Sequence, residues 1–540
     1  MRRWIVPGVL LVLAAVFRFP GLEFSPPGIF RDELEKGYTA WELWHTGRYG
    51  RLLMEPGGRV VPSSRFPLFI DVYGVRTSAV YQWLAAPVVG LGGLSVRTTR
   101  LTAAWVGTLT VLLTFFWVRR LWGWKVAAWA GFWLAVSPWH IVFSRWAQQG
   151  ITEPLWLIAT LLTFQKGRMA QSGWRTVWWG LSGFFAGLAF YSYEIARVFL
   201  PLWLVFLALT HWKSIRSSPR TAAVAVLVLF VICVPTSYIA LTSEGAARFQ
   251  RISVFGDGAS VGQGIALAAK NWLAHFHPGF LFHSGDATAR HQLPGLGLMH
   301  WVQAPLLALG LLWIFRRRKP AGLLLLAWIA LYPISASLTR EGIPHALRSI
   351  VGLPAWPILC GIGTGYLFRL LAGHVERAPH IRWAVLAVGI ILLLAPMPKL
   401  IRSLWTDWPR EAREAFEQPE QILTDALTRH YGGGEQPRES HAVLHLSGYV
   451  AYAPHRLLFH GRVRPADWQR SGLEALPARL LMPGALAHQW KGFAPGDRIA
   501  VFAAELQGLA PESYRILDSF EESSPDGQRY CWGLVIEKSR

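Results

Sequence analysis

The segment Arg31-Asp32-Glu33 sets two carboxylates a few residues after the first apolar stretch of a chain that is otherwise 52% apolar, with a formal net charge of +21. Charged groups beside a bilayer are expensive to desolvate and persist where a partner or a substrate offsets that penalty. A carboxylate so placed can orient or deprotonate a hydroxyl. The residue types that would complement it recur downstream. They are Arg76, Ser144-Arg145 with Glu153, Tyr191-Ser192-Tyr193-Glu194 with Arg197, and the turn 338–348, which carries Glu341, His345 and Arg348. One acid plus several arginines suits a substrate with a phosphate to be held and a hydroxyl to be deprotonated.

Each of these residues also has a purely structural reading. Asp32 is a suitable helix cap, and Glu33 is a first-turn acid that the helix dipole favours. Arg145 and Arg197 stand near the ends of apolar stretches, where long cationic side chains snorkel; Arg348 fits an interfacial anchor and His345, after Pro344, a turn histidine. His275, His277, His283, His291 and His300 with Asp286 make a metal site conceivable, but their spacing matches no tight ligand pattern, so a divalent metal and its ligands stay open. Gly361, Gly363 and Gly365 lie in an apolar stretch and read as a close helix-packing stripe rather than a phosphate cradle.

The elements that must position these groups are membrane helices. Apolar stretches recur near 4–19, 101–118, 125–143, 154–165, 177–190, 198–211, 221–240, 301–315, 320–337, 349–368 and 382–398. With the N-terminus inside, the loops holding Arg119, Arg120 and Lys125, then Lys166 to Arg175, Lys213 to Arg220, Arg316 to Lys319 and Arg369 to Arg382 fall on the inner side. This gives a polytopic α-helical membrane protein of about eleven spans, N-terminus in and C-terminus out. The segment 77–93 would invert that count if it crossed; being short and led by Tyr81-Gln82-Trp83, it is predicted to lie in the interface. Met1-Arg2-Arg3 and the apolar run to Phe17 read as an uncleaved first span, since no small-residue cleavage site follows.

Residues 1–398 therefore form one membrane domain, whose first outer loop, about 20–100, carries the acidic pair. Residues 399–540 form a second, extracytoplasmic domain. Its start, Glu411 to Leu427, has a helical pattern, Tyr431-Gly432-Gly433-Gly434 reads as a linker, and the alternating runs 442–446 and 498–502 predict strands of a small α/β domain. Nucleic acid is excluded as a partner, because the cations sit between apolar stretches and not in a stripe interleaved with aromatics. The three cysteines make neither a disulfide framework nor a zinc site.

In combination these residues resemble the GT-C membrane glycosyltransferases, in particular bacterial members similar to the protein O-mannosyltransferases and the aminoarabinose transferases of lipid A. The likeness runs through Asp32-Glu33, Tyr38-Thr39-Ala40, Arg76 ahead of Tyr81-Gln82-Trp83, and Ser137-Pro138-Trp139-His140 leading to Ser144-Arg145. It continues through Tyr191-Ser192-Tyr193 with Arg197, Gly285-Asp286 with Arg290-His291, and Pro344-His345-Ala346-Leu347-Arg348. The resemblance implies a polyprenyl-phosphate-sugar-dependent transferase working on the outer face of the cytoplasmic (inner) membrane. Asp32 would be the catalytic acid, with Glu33, Arg76, Tyr81, Arg145, Glu153, Tyr193, Arg197, His345 and Arg348 binding substrate. The Lys-Pro-Pro pattern usual before the Tyr-Trp helix is replaced by Val75-Arg76-Thr77-Ser78, and Val75 stands where the aminoarabinose enzymes carry a metal-binding Glu, so a zinc ion is not carried over.

The chemistry fits that compartment. No nucleotide sugars exist outside the cytoplasmic membrane, so a sugar donor there must ride on a lipid phosphate, and the acceptor is a hydroxyl of a protein, lipid or glycan. No nucleotide cofactor is required. The alternative is a transporter or flippase of a lipid-linked or anionic solute, which would place polar groups near the bilayer midplane and often in repeats. Here they cluster at the outer ends and no repeat is evident.

Overall fold

The computed structural model describes residues 2–52, 60–72, 75–241, 252–256, 258–377, 382–431, 444–446, 453–476, 478–480, 486–507, 509–523 and 529–539. The expected Gly432–Gly434 linker and the first two residues of the strand expected at 442–446 lie outside these. Two compact units are present, and they do not follow chain order. The first comprises residues 1–26 and 100–411, the second residues 27–99 and 412–540. The first loop after the opening helix is thus grouped with the tail, whereas the sequence reading divided the chain at 398 by apolarity alone.

Five helices among the described residues are long and apolar enough to cross a membrane: Val96–Trp122, Pro219–Ala240, Pro320–Ser337, Ile350–Ala372 and Arg382–Glu411. Helices Arg2–Arg18, Trp124–Ala135, Thr152–Met169, Ser172–Ser192, Ala196–Thr210 and Gln303–Arg317 fall on the remaining apolar stretches. The stretch read as one span at 125–143 is broken. Trp124–Ala135 stops, and a new helix, Pro138–Phe143, begins with Ser137 Oγ accepting from the His140 N–H. Pro138 sits at the first helical position, where its missing N–H costs nothing. Arg18 fastens the break: fully buried, it donates to the carbonyls of Leu134 and Ala135.

The glycine stripe does what its spacing predicted. A Cβ on Gly361 would meet the Ala130 backbone at 2.6 Å, and one on Gly363 would overlap the Leu306 carbonyl. The helix Ala355–Arg377 is therefore clasped between Trp124–Ala135 and Gln303–Arg317, at a backbone approach that any side chain would prevent.

The second unit begins with the helix Arg31–Thr46, ended by Gly47 in the left-handed region (φ 66°). Two antiparallel ribbons follow, β1 (Gly50–Leu52) with β2 (Val60–Pro62) and β3 (Phe69–Val72) with β4 (Val75–Ser78). The helix Val80–Gly92 then packs on Arg31–Thr46. Its 13 residues span ~20 Å, short of the ~30 Å hydrocarbon core. In the tail, the helix expected from Glu411 starts only at Gln418, after a turn in which Glu417 takes a positive φ of 54°.

A five-stranded sheet completes this unit, in the order β6 (Arg479–Leu480), β5 (Leu444–Leu446), β7 (Arg498–Phe502), β9 (Arg529–Lys538), β8 (Tyr514–Ser523). β5 runs parallel to β6 and β7, while β9 is antiparallel to both its neighbours. Leu486, Trp490, Phe493, Ile499, Val501, Leu534 and Ile536 fill its core.

Candidate functional site

The first turn of the Arg31–Thr46 helix holds the acidic pair, and its caps come from unexpected places. Phe30 occupies the N-cap position and has no side-chain acceptor. Glu33, fully buried, reaches back so that its Oε2 accepts from the Phe30 N–H at 3.2 Å. The Arg31 N–H donates to Oε2 of Glu417, 386 residues away, at 3.2 Å. Glu417 also pairs with the Arg31 guanidinium and with the buried Arg456. Gly28 lies so close under Phe416 and Gln418 that a Cβ there would approach the Phe416 carbonyl oxygen to 2.6 Å. With the end groups satisfied by Glu33 and Glu417, Asp32 is released from capping. It stays partly exposed, and its carboxylate has no hydrogen bond or ion pair among the described residues.

Further along the same helix two acids are buried. Glu35 accepts from Gln82 Nε2 and Thr39 Oγ1 at 3.3 Å, and burial, only partly offset by Lys36, pushes its pKa up. Burial likewise pushes Glu42 up to about 8, though Gln469 Nε2 and the Gly50 N–H donate to it. Arg76 stands on β4 opposite Asp71, with Nη2 3.6 Å from Asp71 Oδ2; Arg51 holds that carboxylate closer, at 3.0 Å, and Arg76 is exposed. Tyr81, on the first turn of Val80–Gly92, is buried.

The remaining predicted residues lie in the first unit. Arg145 is fully buried, and its guanidinium donates to the carbonyls of Phe17, Pro20, Gly21 and Ser25 at 2.7–3.1 Å. Arg100 does the same for Leu22 and Pro26. Both fix the chain leaving the first helix, and Arg145 has little donor capacity left for a ligand. Glu153 is buried too, and neither carboxyl oxygen has a hydrogen-bond partner among the described residues. It therefore presents no surface to a substrate in this state.

The three turns at 144–153, 191–197 and 338–348 converge. Gly150 packs so close to Leu347 and Tyr193 that a Cβ would come within 2.7 Å of the Leu347 side chain and 3.4 Å of the Tyr193 ring. Arg197 is half-buried; Nη2 donates to Thr236 Oγ1 at 3.1 Å, while its buried Nε–H finds no acceptor among the described residues. Arg348 donates to Thr339 Oγ1 and the Glu341 carbonyl, which shapes the 338–348 turn. The helix Val261–Ala274 braces the same turn, with Asn271 Nδ2 donating to the carbonyls of Ser337 and Thr339. His275 Nε2 accepts from the His345 N–H and its Nδ1 donates to the Asn271 carbonyl, so the ring is neutral; burial holds its pKa down near 4.

Asp286 organises the turn from the other side. Oδ2 accepts from the Ala346 N–H at 2.7 Å and lies 3.1 Å from His291 Nδ1 and 3.5 Å from His345 Nδ1. Burial alone would raise the Asp286 pKa, but His291 and His345 outweigh it and hold it low. One ligand atom from each of Asp286, His291 and His345 lies within 4.8 Å of the others, a donor set that a divalent cation such as zinc accepts. Sequence spacing missed this trio because His345 comes from a different loop. Glu417 was missed for the same reason.

The fold has counterparts among known proteins. The sequence model of the dolichyl-phosphate-mannose-protein mannosyltransferase family matches residues 77–239. Among solved structures, ArnT from Cupriavidus metallidurans in the apo state superposes with a TM-score of 0.56 at 16% identity, over 99% of this chain and 98% of that one. The same protein bound to undecaprenyl phosphate gives 0.53 at 15%, over 99% and 97%. The oligosaccharyltransferase AglB from Archaeoglobus fulgidus, in complex with an inhibitory peptide and a dolichol-phosphate, gives 0.53 at 12%, over 98% and 74%. No curated protein sequence matches. The chain thus has the polytopic GT-C membrane fold and is similar to the protein O-mannosyltransferases and to ArnT.

Proposed function

We propose that this protein is an integral membrane glycosyltransferase that moves a sugar from a polyprenyl-phosphate carrier to an acceptor hydroxyl on the extracytoplasmic face of the cytoplasmic membrane. The observation that carries the proposal is the state of Asp32: a partly exposed carboxylate without a hydrogen bond or ion pair among the described residues, on a helix end whose capping is done by other residues. Such a group is held ready to accept a proton. Fold-mates with bound undecaprenyl phosphate or dolichol-phosphate support a lipid-linked donor.

In this mechanism the acceptor oxygen attacks the anomeric carbon, the bond from that carbon to the phosphate oxygen breaks, and the lipid phosphate leaves with the electron pair. The acceptor proton passes to Asp32, and the single displacement inverts the anomeric centre. Arg76, in the same compact unit as Asp32, neutralises the departing phosphate. Tyr81 lines the substrate, while Glu33 supports the backbone at the helix start. A divalent ion on Asp286, His291 and His345 would lock the 338–348 turn.

The deciding experiment offers purified protein a panel of radiolabelled polyprenyl-phosphate sugars and compares wild type with Asp32→Asn. Transfer from one donor, lost in the variant, is expected; transfer unimpaired by the substitution removes Asp32 from the reaction.

A further inference from the structure

At the ends of the membrane helices remote from the 338–348 turn, a cavity of about 290 Å³ opens in the first unit. It is lined by the end of Val96–Trp122, the start of Trp124–Ala135, the end of Gln303–Arg317 and the middle of Ala355–Arg377. Arg317, Lys319 and Arg369 face it together with Trp122, Trp313 and Tyr366, and among the described residues no carboxylate lines it. Cations at the last turn of a helix answer the helix dipole, which accounts for Arg317. It does not account for Arg369, which sits within its helix, nor for the indole of Trp122. The Trp122 Nε1–H is buried and has no acceptor among the described residues. A buried donor left unpaired carries a penalty of about 1–3 kcal/mol, which a bound oxyanion would remove. Tyr366 Oη accepts from Arg316 Nη1 at 2.6 Å, so its own O–H is available to donate.

We infer that this cavity binds the phosphate of an anionic phospholipid, with an oxygen accepting from Trp122 Nε1–H and the charge balanced by Arg317, Lys319 and Arg369. A lipid and not a free anion is the occupant, because the surround is a bilayer-facing belt: Trp124 and Phe315 beside the cavity are 55% and 61% exposed. Basic pockets between membrane helices at the level of the headgroups are the geometry that anionic headgroups recognise. The site is separate from the residues proposed for sugar transfer and does not depend on that reading.

Native mass spectrometry of the full-length protein tests it, with phosphatidylglycerol or phosphatidylcholine added to the detergent micelle. Wild type should retain phosphatidylglycerol about tenfold better than phosphatidylcholine. The double substitution Arg317→Gln, Arg369→Gln should lower that retention about thirtyfold. Trp122→Phe keeps the ring bulk, removes only the N–H and should lower it about fivefold, which covers the case in which the double variant folds poorly. Equal retention of the two lipids, or retention unchanged in Trp122→Phe, overturns the proposal. So does displacement of phosphatidylglycerol by millimolar inorganic phosphate, which would make the site one for a free anion.

Discussion

Two helix starts carry an acid in the first turn and treat it in opposite ways. At Arg31–Thr46, Glu33 and Glu417 satisfy end N–H groups, and Asp32 is left partly exposed, its carboxylate without a hydrogen bond or ion pair among the described residues. At Thr152–Met169, Glu153 is sealed inside, its carboxyl oxygens without hydrogen bonds among the described residues. The residue type and helix position are nearly the same, so the difference lies in access. A carboxylate can exchange a proton with a substrate only where the substrate can reach it. On the proposed mechanism, turnover belongs to the first helix start and architecture to the second.

The strongest way to break that assignment is Asp32→Asn. It should lower single-turnover sugar transfer by roughly 10²–10⁴-fold. Because the carboxylate has no hydrogen bond or ion pair to lose among the described residues, thermal stability should stay within about 0.5 kcal/mol of wild type. A variant that transfers normally, or one that simply unfolds, would end the contrast. Next comes Glu417→Gln, which weakens the pairing with Arg31 and Arg456 without touching Asp32. A shift of the helix start by ~1 Å would lower kcat by up to about 10²-fold, with KM little changed. Faster amide hydrogen exchange at Arg31–Leu34 would show that the cap was the cause, and Glu417→Asp should recover part of the rate.

Glu153→Gln should change KM for the donor by less than about threefold, since the carboxyl meets no surface. A tenfold rise would show that the enzyme opens to expose it and would erase the contrast. The smallest effect concerns Glu42. Its folded pKa of about 8 exceeds the ordinary value of 4.5, so the folded state binds more protons than the unfolded one between those limits. Stability is therefore full below pH ~4.5 and falls as pH rises toward 8. Glu42→Gln should flatten the fall, read as Tm from pH 4.5 to 9, at about 2–4 °C per kcal/mol.

Local signals in the sequence were readable. The acidic first turn and Gly47 bound the Arg31–Thr46 helix, the stripe Gly361, Gly363, Gly365 marks a helix crossing, and 498–502 is a strand. Pro138 was also a local signal, and reading 125–143 as one apolar run passed over it. What stayed hidden depends on partners distant in sequence. Arg145 looks like a snorkelling or phosphate-binding arginine until its acceptors, 120–128 residues upstream, are seen. The trio Asp286, His291 and His345 and the cap on Arg31 are likewise assembled from separate segments. Periodicity reports what a side chain faces along its own element and is silent about which other element arrives there.

The bond between Arg31 and Glu417 also sets a clock. A ribosome adding about 5–20 residues per second delivers Glu417 roughly 20–80 s after Arg31. Until then the helix start that bears Asp32 lacks its second cap. Contacts this distant along the chain form late in folding. The proposed reaction centre is thus completed only after most of the polypeptide has been made, and a nascent chain that stalls before residue 417 would sit in the membrane without an organised Asp32.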